Sequence, residues 1–188
     1  MDLIQAISRV AQIPKAEAEA LLGICRHTSL SEGQCFIREG ELPQKMAIVM
    51  SGLFRYVYVD DEGNEYTKSF MPEGSFLTSY SAMISGEPSY FSIEALEDAE
   101  VLVFSYRDWQ TLLASNVVWK DLLIRMLEQG FSAKQRRERD LLLLDAETRY
   151  ANFCSEHPNL LERVKQYQIA SFLGIKPESL SRLKKSRA

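Results

Sequence analysis

The stretch that most constrains the fold is QYQIASFLGIKPESLSRLKK at positions 166–185. Apolar residues recur at helical spacing on both sides of Gly174, a pattern that predicts two short helices joined by a sharp turn. Gly174 supplies the backbone freedom that such a turn often needs, and Pro177 suits the first turn of the second helix. Ala170 is small at the place where the second helix must cross the first. The sequence therefore predicts a helix–turn–helix.

The second helix of this pair carries a polar stripe. Its residues at i, i+3, i+4 and i+7 are Glu178, Ser181, Arg182 and Lys185. Arginine pairs with guanine, and glutamate accepts a hydrogen bond from cytosine, so the stripe suits the reading of DNA bases in a major groove. The alternative is a solvated face that carries a Glu178–Arg182 ion pair of i,i+4 spacing.

The positive charge of the chain is concentrated in the same region. Residues 163–188 carry seven Lys or Arg side chains against a single acid, Glu178, so this segment is +6 in a chain whose net charge is −4. Residues 1–162 are therefore −10. This asymmetry indicates a small basic module that follows an acidic domain.

Composition disfavours membrane and secreted classes. No apolar run approaches the ~20 residues of a membrane span, and the N-terminal segment lacks the basic and apolar regions of a secretory signal. The cysteines, Cys25, Cys35 and Cys154, are widely spaced and form no CxxC pair. Such cysteine usage favours buried thiols in a reducing compartment, so we expect a cytoplasmic protein without membrane contact.

The remaining chain changes between helical and strand-like patterns. The first 25 residues are predicted to be helical, and residues 26–105 contain at least seven short strand-like runs separated by turn signals. Many closely spaced strands are typical of a jelly roll or a small antiparallel barrel. The expected fold class is α+β, with an N-terminal antiparallel β-roll (residues 1–115), a long helix (116–144) and the helix–turn–helix region (145–188).

The long helix follows a short one predicted at residues 106–115. Its apolar surface is too broad for a lone helix, so it can pack on the β-roll and still leave a seam for a second copy of the chain. Gly130 lies in its middle, either because two backbones approach closely there or because the helix breaks in two. Asp145 is well placed to cap the N-terminus of the next helix.

An acidic β-roll, a long helix and a helix–turn–helix, in this order, resemble the cAMP receptor protein and fumarate–nitrate reduction regulator (Crp/Fnr) family of bacterial transcription factors. The resemblance covers nearly the whole chain and is most specific in LGIKPESLSRLKK and in LLDAETRYANF, which is similar to the family's junction after the dimer helix. It implies a cyclic-nucleotide-binding-like β-roll and a homodimer formed by the long helices. It also implies recognition helices that enter the major grooves of a palindromic site in double-stranded DNA, and contact with RNA polymerase.

The resemblance implies base reading by Glu178, Ser181 and Arg182, with Lys176 and Ser179 beside them. Lys185 completes the expected set of DNA-binding residues. Lys176 stands where Ser, Thr, Asn or Asp would normally cap the helix, and its charge opposes the helix dipole. A DNA phosphate beside Lys176 would offset this misfit; otherwise Lys176 is a mediocre cap.

The chain departs from the family where cyclic-nucleotide-binding members carry a Glu for the ribose and an Arg for the cyclic phosphate. The corresponding stretches, EGSFLTSYS at 73–81 and PSYFS at 88–92, have neither residue at the matching place. A phosphate desolvated without a cation is costly, so we expect no binding of cAMP or cGMP. The pocket then either takes a less charged, aromatic or apolar molecule or is filled by its own side chains. The candidate lining residues are Tyr80, Ser81, Tyr90 and Phe91.

Other sensors and enzymes are disfavoured. An iron–sulfur cluster needs four clustered thiolates, and the two histidines, His27 and His157, are expected to be structural rather than haem ligands. A cupin-type metalloenzyme needs several histidines close together, and no nucleophile–base pair or P-loop is visible. We therefore expect no enzymatic activity, no metal and no cofactor.

The functional hypothesis is a homodimeric transcriptional regulator that is switched by an unidentified small molecule other than cAMP. Family members usually continue past the recognition helix into a β-hairpin wing, whereas this sequence stops at Ala188. We therefore expect a recognition helix that frays and binds DNA less tightly than winged relatives, with the basic terminus adding electrostatic attraction. The competing hypothesis is a degenerate β-roll that acts through ligand or protein binding without specific DNA binding.

Overall fold

The computed structural model describes residues 3–187, apart from the side chains of Ala6, Ser186 and Arg187. The helices are α1 (Leu3–Ala11), α2 (Lys15–Ile24), α3 (Tyr80–Ser85), α4 (Tyr106–Ser115), α5 (Val117–Leu143), α6 (Ala146–Glu156), α7 (Gln166–Leu173) and α8 (Pro177–Arg187), with a 3-10 turn at Pro158–Leu160. The strands are β1 (Arg26–Leu30), β2 (Cys35–Ile37), β3 (Lys45–Ser51), β4 (Phe54–Val59), β5 (Glu65–Met71), β6 (Phe76–Leu77), β7 (Ser92–Ala95) and β8 (Ala99–Ser105). This element order confirms the expected α+β class.

The strands of the described chain form two antiparallel sheets of four strands each. One sheet has the order β1-β8-β3-β6, and the other has the order β2-β7-β4-β5. Apolar side chains of both sheets, among them Phe54, Ile93 and Val101, are buried in one cluster between them. Residues 26–105, which were predicted to contain at least seven short strands, contain all eight of these strands. Strand β6 and helix α3 were not predicted, because neither is long enough to show a period.

A second apolar core lies between the β-roll and the helices that flank it. Trp109 of α4 and Trp119 of α5 are fully buried and meet edge to face, with ring centroids 6.1 Å apart. Ile7 of α1 and Leu21 of α2 are buried in the same cluster. Large aromatic rings dominate the energetics of a core, so this cluster fixes the first turns of α5 to the β-roll.

Helix α5 runs unbroken through Gly130. Asn116 caps its N-terminus by accepting a hydrogen bond from the Val118 N–H. The helix break considered for Gly130 is therefore wrong. A Cβ added at Gly130 would meet no described atom within 4 Å, so the protomer itself makes no close approach there. Neither α5 nor any other described helix combines the length and the apolarity needed to cross a membrane.

The C-terminal region packs against the second sheet through α7. Ser171 of α7 accepts a hydrogen bond from the Thr67 N–H of β5 (2.8 Å) and donates one to the Glu65 carbonyl (3.0 Å). Phe70 of β5 contacts the ring of Phe172 of α7, with centroids 5.4 Å apart, and both rings contact Phe153 of α6. Strand β5 therefore holds the helix–turn–helix region on the β-roll of its own chain.

A buried arginine lies in the same sheet. Arg55 of β4 is only 2% exposed, and its Nε donates to Glu94 Oε2 of β7 at 2.6 Å while Nη2 donates to Glu65 of β5. Burial opposes the charged form, but the hydrogen bonds to Glu65 and Glu94 outweigh it and raise the pKa of Arg55. Its Nη1 is buried without a hydrogen-bond partner among the described residues.

Candidate functional sites

The helix–turn–helix predicted from the sequence is present. Ile169, Ala170 and Leu173 of α7 are buried in one cluster with Leu180 of α8. Gly174, between the helices, has φ 66° and ψ 36°, a left-handed conformation that L side chains rarely adopt. A Cβ at this position would also lie 3.1 Å from a methyl carbon of Leu141 in α5. Glycine is therefore favoured both by the turn and by its packing on the long helix.

The polar stripe of α8 is open to solvent. Ser179 is half-buried, and the exposed members of the expected DNA-binding set are Lys176, Glu178, Ser181, Arg182 and Lys185. Arg182 Nε lies 3.5 Å from the backbone carbonyl oxygen of Glu178 rather than from its carboxylate. The Glu178–Arg182 ion pair considered in the sequence analysis is not formed among the described residues, so both side chains can turn towards a ligand.

Two of the basic residues in this region face the β-roll instead. Arg163 Nη2 lies 2.7 Å from Glu73 Oε1 and also pairs with Glu97, and Lys165 Nζ lies 2.9 Å from Glu32 Oε1. The hydrogen bonds to Glu97 and Glu73 raise the pKa of Arg163. The sequence had placed Arg163 and Lys165 with the charge of the basic module. Their pairing instead attaches that module to the acidic domain.

The interior of the β-roll is filled by its own aromatic side chains. Tyr56 stacks on Phe91, with ring centroids 4.9 Å apart. The Tyr56 hydroxyl accepts a hydrogen bond from the Thr78 N–H (3.0 Å) and donates one to the Phe76 carbonyl (3.3 Å), and burial raises its pKa to about 12. Tyr56 thus ties the stretch at residues 73–81 to the centre of the second sheet.

Removal of this hydroxyl should destabilise the β-roll. We expect Tyr56→Phe to lower the free energy of unfolding by about 1–3 kcal/mol, because the ring stays while the partly buried Thr78 N–H loses its partner. Urea unfolding measures the change. Tyr66→Phe is the matched control, since the Tyr66 hydroxyl contacts Asp60 in an exposed hairpin, and it should cost less than ~0.5 kcal/mol. Equal small losses in both variants would contradict the role assigned to Tyr56.

The four residues expected to line an effector pocket do not share one cavity. Phe91 lies in the stack, and Tyr80 packs against the core formed with the N-terminal helices. Ser81 is exposed on α3, and Tyr90 is 67% exposed. Surface cavities of about 310 and about 190 Å³ are present elsewhere, and none of the four residues lines them.

Sequence reasoning missed a β-bulge in β5. Tyr56 pairs with Ser69 and Val57 pairs with Thr67, which leaves Lys68 as the extra residue. A bulge re-aims a side chain and is common beside functional sites. A bulge adds one residue to a strand and interrupts its two-residue alternation, but no particular residue type marks it. The sequence therefore carries no signal for it.

The bulge brings Lys68 to the aromatic stack. Lys68 Nζ lies 4.0 Å from the centroid of the Phe91 ring. Burial, and after it the positive charges of Lys134 and Arg137 of α5, lower the pKa of Lys68. Cations are therefore present on β5 of the β-roll and on α5 beside it, rather than in the stretch where the family resemblance would place them.

Comparisons with known proteins agree with this architecture. Residues 27–116 match the cyclic nucleotide-binding domain family. The chain is 22% identical to the cAMP-activated global transcriptional regulator CRP of Salmonella typhimurium over 89% of this chain and 84% of that protein. FixK2 from Bradyrhizobium japonicum superposes with a TM-score of 0.78 at 18% identity, covering 87% of this chain and 84% of that one. A Crp/Fnr-family protein of Eubacterium rectale superposes with a TM-score of 0.75 at 15% identity, covering 97% and 87%.

The likeness extends beyond the β-roll to the long helix and to the helix–turn–helix that follows it. Residues 27–116 thus match a cyclic nucleotide-binding domain, and most of the chain shares the fold of the Crp/Fnr-family protein of Eubacterium rectale.

Proposed function

We propose that the protein is a DNA-binding transcriptional regulator, and not an enzyme, that acts as a homodimer on a palindromic site. The observation that carries this proposal is the exposed polar stripe of α8. The opposite face of α8 packs against α7 in a buried apolar cluster. Along one side of the helix, Glu178 offers a hydrogen-bond acceptor, Ser181 a hydroxyl and Arg182 several hydrogen-bond donors. These groups can form hydrogen bonds with the edges of bases in a major groove. Lys176 and Lys185 flank the trio and suit contacts with phosphates.

The dimer contact in this proposal is an apolar stripe along α5. Val117, Ile124 and Phe131 recur every seven residues and are 64%, 51% and 67% exposed, and Leu127 and Leu142 extend the stripe. A seven-residue period is typical of coiled coils, and soluble monomers rarely leave such a stripe in water. Two copies of α5 related by a two-fold axis would bury it and would pair the two α8 helices.

The effector in this proposal is a small molecule other than a cyclic nucleotide. The stretch at residues 73–92 contains no Lys or Arg that could neutralise a cyclic phosphate, and the stacked rings of Tyr56 and Phe91 occupy the interior of the β-roll. Desolvation of a phosphate without a cation is costly. Millimolar cAMP is therefore expected to leave the affinity for DNA unchanged.

A gel-shift titration with a palindromic duplex, selected from a randomised pool, tests the regulator. We expect Arg182→Ala to weaken binding to the selected duplex by about 1–3 kcal/mol and to relax the preference at one base pair. Arg139→Ala, which removes an exposed arginine of α5, is the matched control and should change little. Equal losses on selected and random duplexes would mean that Arg182 contacts only the DNA backbone. If a dimeric sample shows no preference for the selected duplex, the proposed regulator function is refuted.

A second candidate is a β-roll module that acts through ligand or protein binding without specific DNA binding. The docking of α7 on β5 and the Arg163–Glu73 pair favour it, because they tie the helix–turn–helix region to the β-roll. The same gel shift separates the two candidates, since only the regulator discriminates between the selected and the random duplex.

A further inference from the structure

Two charged residues interrupt the apolar stripe of α5 at its own spacing. The series that contains Ile124 and Phe131, and recurs every seven residues, continues to Glu138. The neighbouring series, which contains Leu127, continues to Lys134. Both charged side chains are exposed in the protomer. Two such seven-residue series form the face that a coiled-coil helix turns towards its partner. Lys134 and Glu138 therefore share that face with the apolar residues.

Neither charge is neutralised within its own chain. In the described part of the chain, no salt bridge includes Lys134 or Glu138, although the two residues are four positions apart on one helix. A lysine that precedes a glutamate by four residues is the less favourable order for such a pair. By contrast, Arg136 lies on another side of α5 and pairs with Glu156 of α6. An unpaired charge is ordinary in water, but it is costly on a face that a second copy covers.

A second copy of α5, parallel and in register, supplies the missing partners. In such a coiled coil, each residue of the face packs into a hole formed by four residues of the opposite helix. For Glu138, the hole consists of Lys134, Arg137, Glu138 and Leu141, so two of its four members are cations. The hole for Lys134 includes Phe131, whose ring attracts a cation, and Glu138. The charges of the two copies are therefore complementary.

We propose that Lys134 of each copy pairs with Glu138 of the other, and that these two ion pairs select a parallel, in-register dimer of identical chains. The inference rests on the α5 contact proposed above and adds which partner can occupy it. Charged residues within an apolar seam lower its stability but specify register and oligomeric state. A chain with an apolar residue at either place would leave a buried charge unpaired, so mixed dimers with such chains are disfavoured.

A different register loses the complementary arrangement. A slip of seven residues sets Glu138 of one copy level with Phe131 of the other, so that a charged layer faces an apolar one. The same slip would displace the two α8 helices by about 10 Å relative to each other along the seam, because an α-helix rises about 1.5 Å per residue. In the proposed regulator, the ion pairs therefore also fix the spacing of the two recognition helices.

Exchange of the charges tests this pairing. A homodimer of Lys134→Glu or of Glu138→Lys carries four like charges in the seam, whereas a mixed dimer of the two variants, or the combined variant, sets opposite charges together. Analytical ultracentrifugation measures the dissociation constants. Native mass spectrometry of a mixture, with one variant labelled by a heavy nitrogen isotope, measures the share of mixed dimers. Circular dichroism checks that each variant is folded.

The matched control is a mixture of Arg136→Glu and Asp140→Lys. These residues have the same spacing as Lys134 and Glu138 but lie about 200° further round the helix, away from the seam. Their mixture should contain only the random share of mixed dimers.

We expect each single seam variant to raise the dissociation constant of its homodimer roughly tenfold or more, and the combined variant to restore it. The mixture of Lys134→Glu with Glu138→Lys should consist almost entirely of mixed dimers. A random share in this mixture, or single variants that dimerise like the wild type, would overturn the inference and leave the proposed dimer intact. A wild-type monomer, or a dimer that survives Phe131→Glu, would refute the α5 contact and the inference with it. Selective mixed dimers without a preferred duplex would refute only the regulator.

Discussion

Phe131→Glu is expected to convert the protein from a dimer into a monomer and to abolish its preference for a palindromic duplex. In the proposed dimer, two copies of the residue meet near the two-fold axis, so one substitution removes two apolar rings and sets two carboxylates against each other. Loss of burial for two large apolar side chains corresponds to a dimer dissociation constant raised ~100-fold or more. Analytical ultracentrifugation measures the dissociation constant, and the gel shift measures its consequence for DNA.

The control for this substitution is Ser132→Glu, which adds the same charge at the next, exposed position of α5, about 100° around the helix. It should remain a dimer. Because Phe131 is largely exposed in the protomer, Phe131→Glu should unfold at nearly the wild-type urea concentration. A dimeric Phe131→Glu would show that the protein associates through another surface, and an unfolded one would show that Phe131 supports the protomer.

Arg55→Ala is expected to cause the largest loss of stability among single substitutions of charged residues. It removes a fully buried guanidinium and leaves Glu65 and Glu94 next to each other without a cation. Removal of one partner from a buried ion pair typically costs 3–5 kcal/mol, and we expect about 3 kcal/mol here because both carboxylates keep some contact with solvent. Urea unfolding followed by circular dichroism measures the change.

Arg139→Ala serves as the control, since Arg139 forms an exposed pair with Asp140 and should lose less than ~1 kcal/mol. A rescue tests the cause. If the uncompensated carboxylates account for the loss, Arg55→Met combined with Glu94→Gln should be more stable than Arg55→Met alone, since the double variant carries one unpaired charge fewer. If the two Met variants are equally stable, the loss comes from packing rather than from charge.

Periodicity explains which parts of the fold could be predicted. Helix α5 and the pair of helices α7 and α8 are long enough to repeat a pattern, and their predicted ranges, 116–144 and 166–185, agree with the structure to within a few residues. The cap of α6 could also be predicted, because Asp145 stands directly before that helix. In the structure its side chain accepts a hydrogen bond from the Thr148 N–H. Strand β6 and helix α3 escaped prediction because two and six residues cannot establish a period.

The candidate sites were predictable only where they lie within one element. The polar stripe that we propose as the DNA-reading surface is a local property of α8, and Glu178, Ser181, Arg182 and Lys185 are exposed on that helix. Arg137 donates to the Thr67 carbonyl across 70 positions of the chain, and the direction of the Lys68 side chain depends on a bulge, so no spacing rule could have found either contact. For the same reason, the sequence counted Arg163 only in the charge of the basic module, although it pairs with Glu73 across the fold.

The docking of α7 on β5 limits how this protein can be recombined with its relatives. A domain graft that keeps this β-roll and exchanges everything after α5 would keep the Thr67 N–H and the Phe70 ring but lose Ser171 and Phe172, which contact them. In the regulator proposed above, the foreign helix–turn–helix region would then be attached by its linker alone, without the contacts that join α7 to β5. For such a regulator, a chimaera that keeps the coupling between the two regions would need to carry β5 together with α7 as a single transplanted unit.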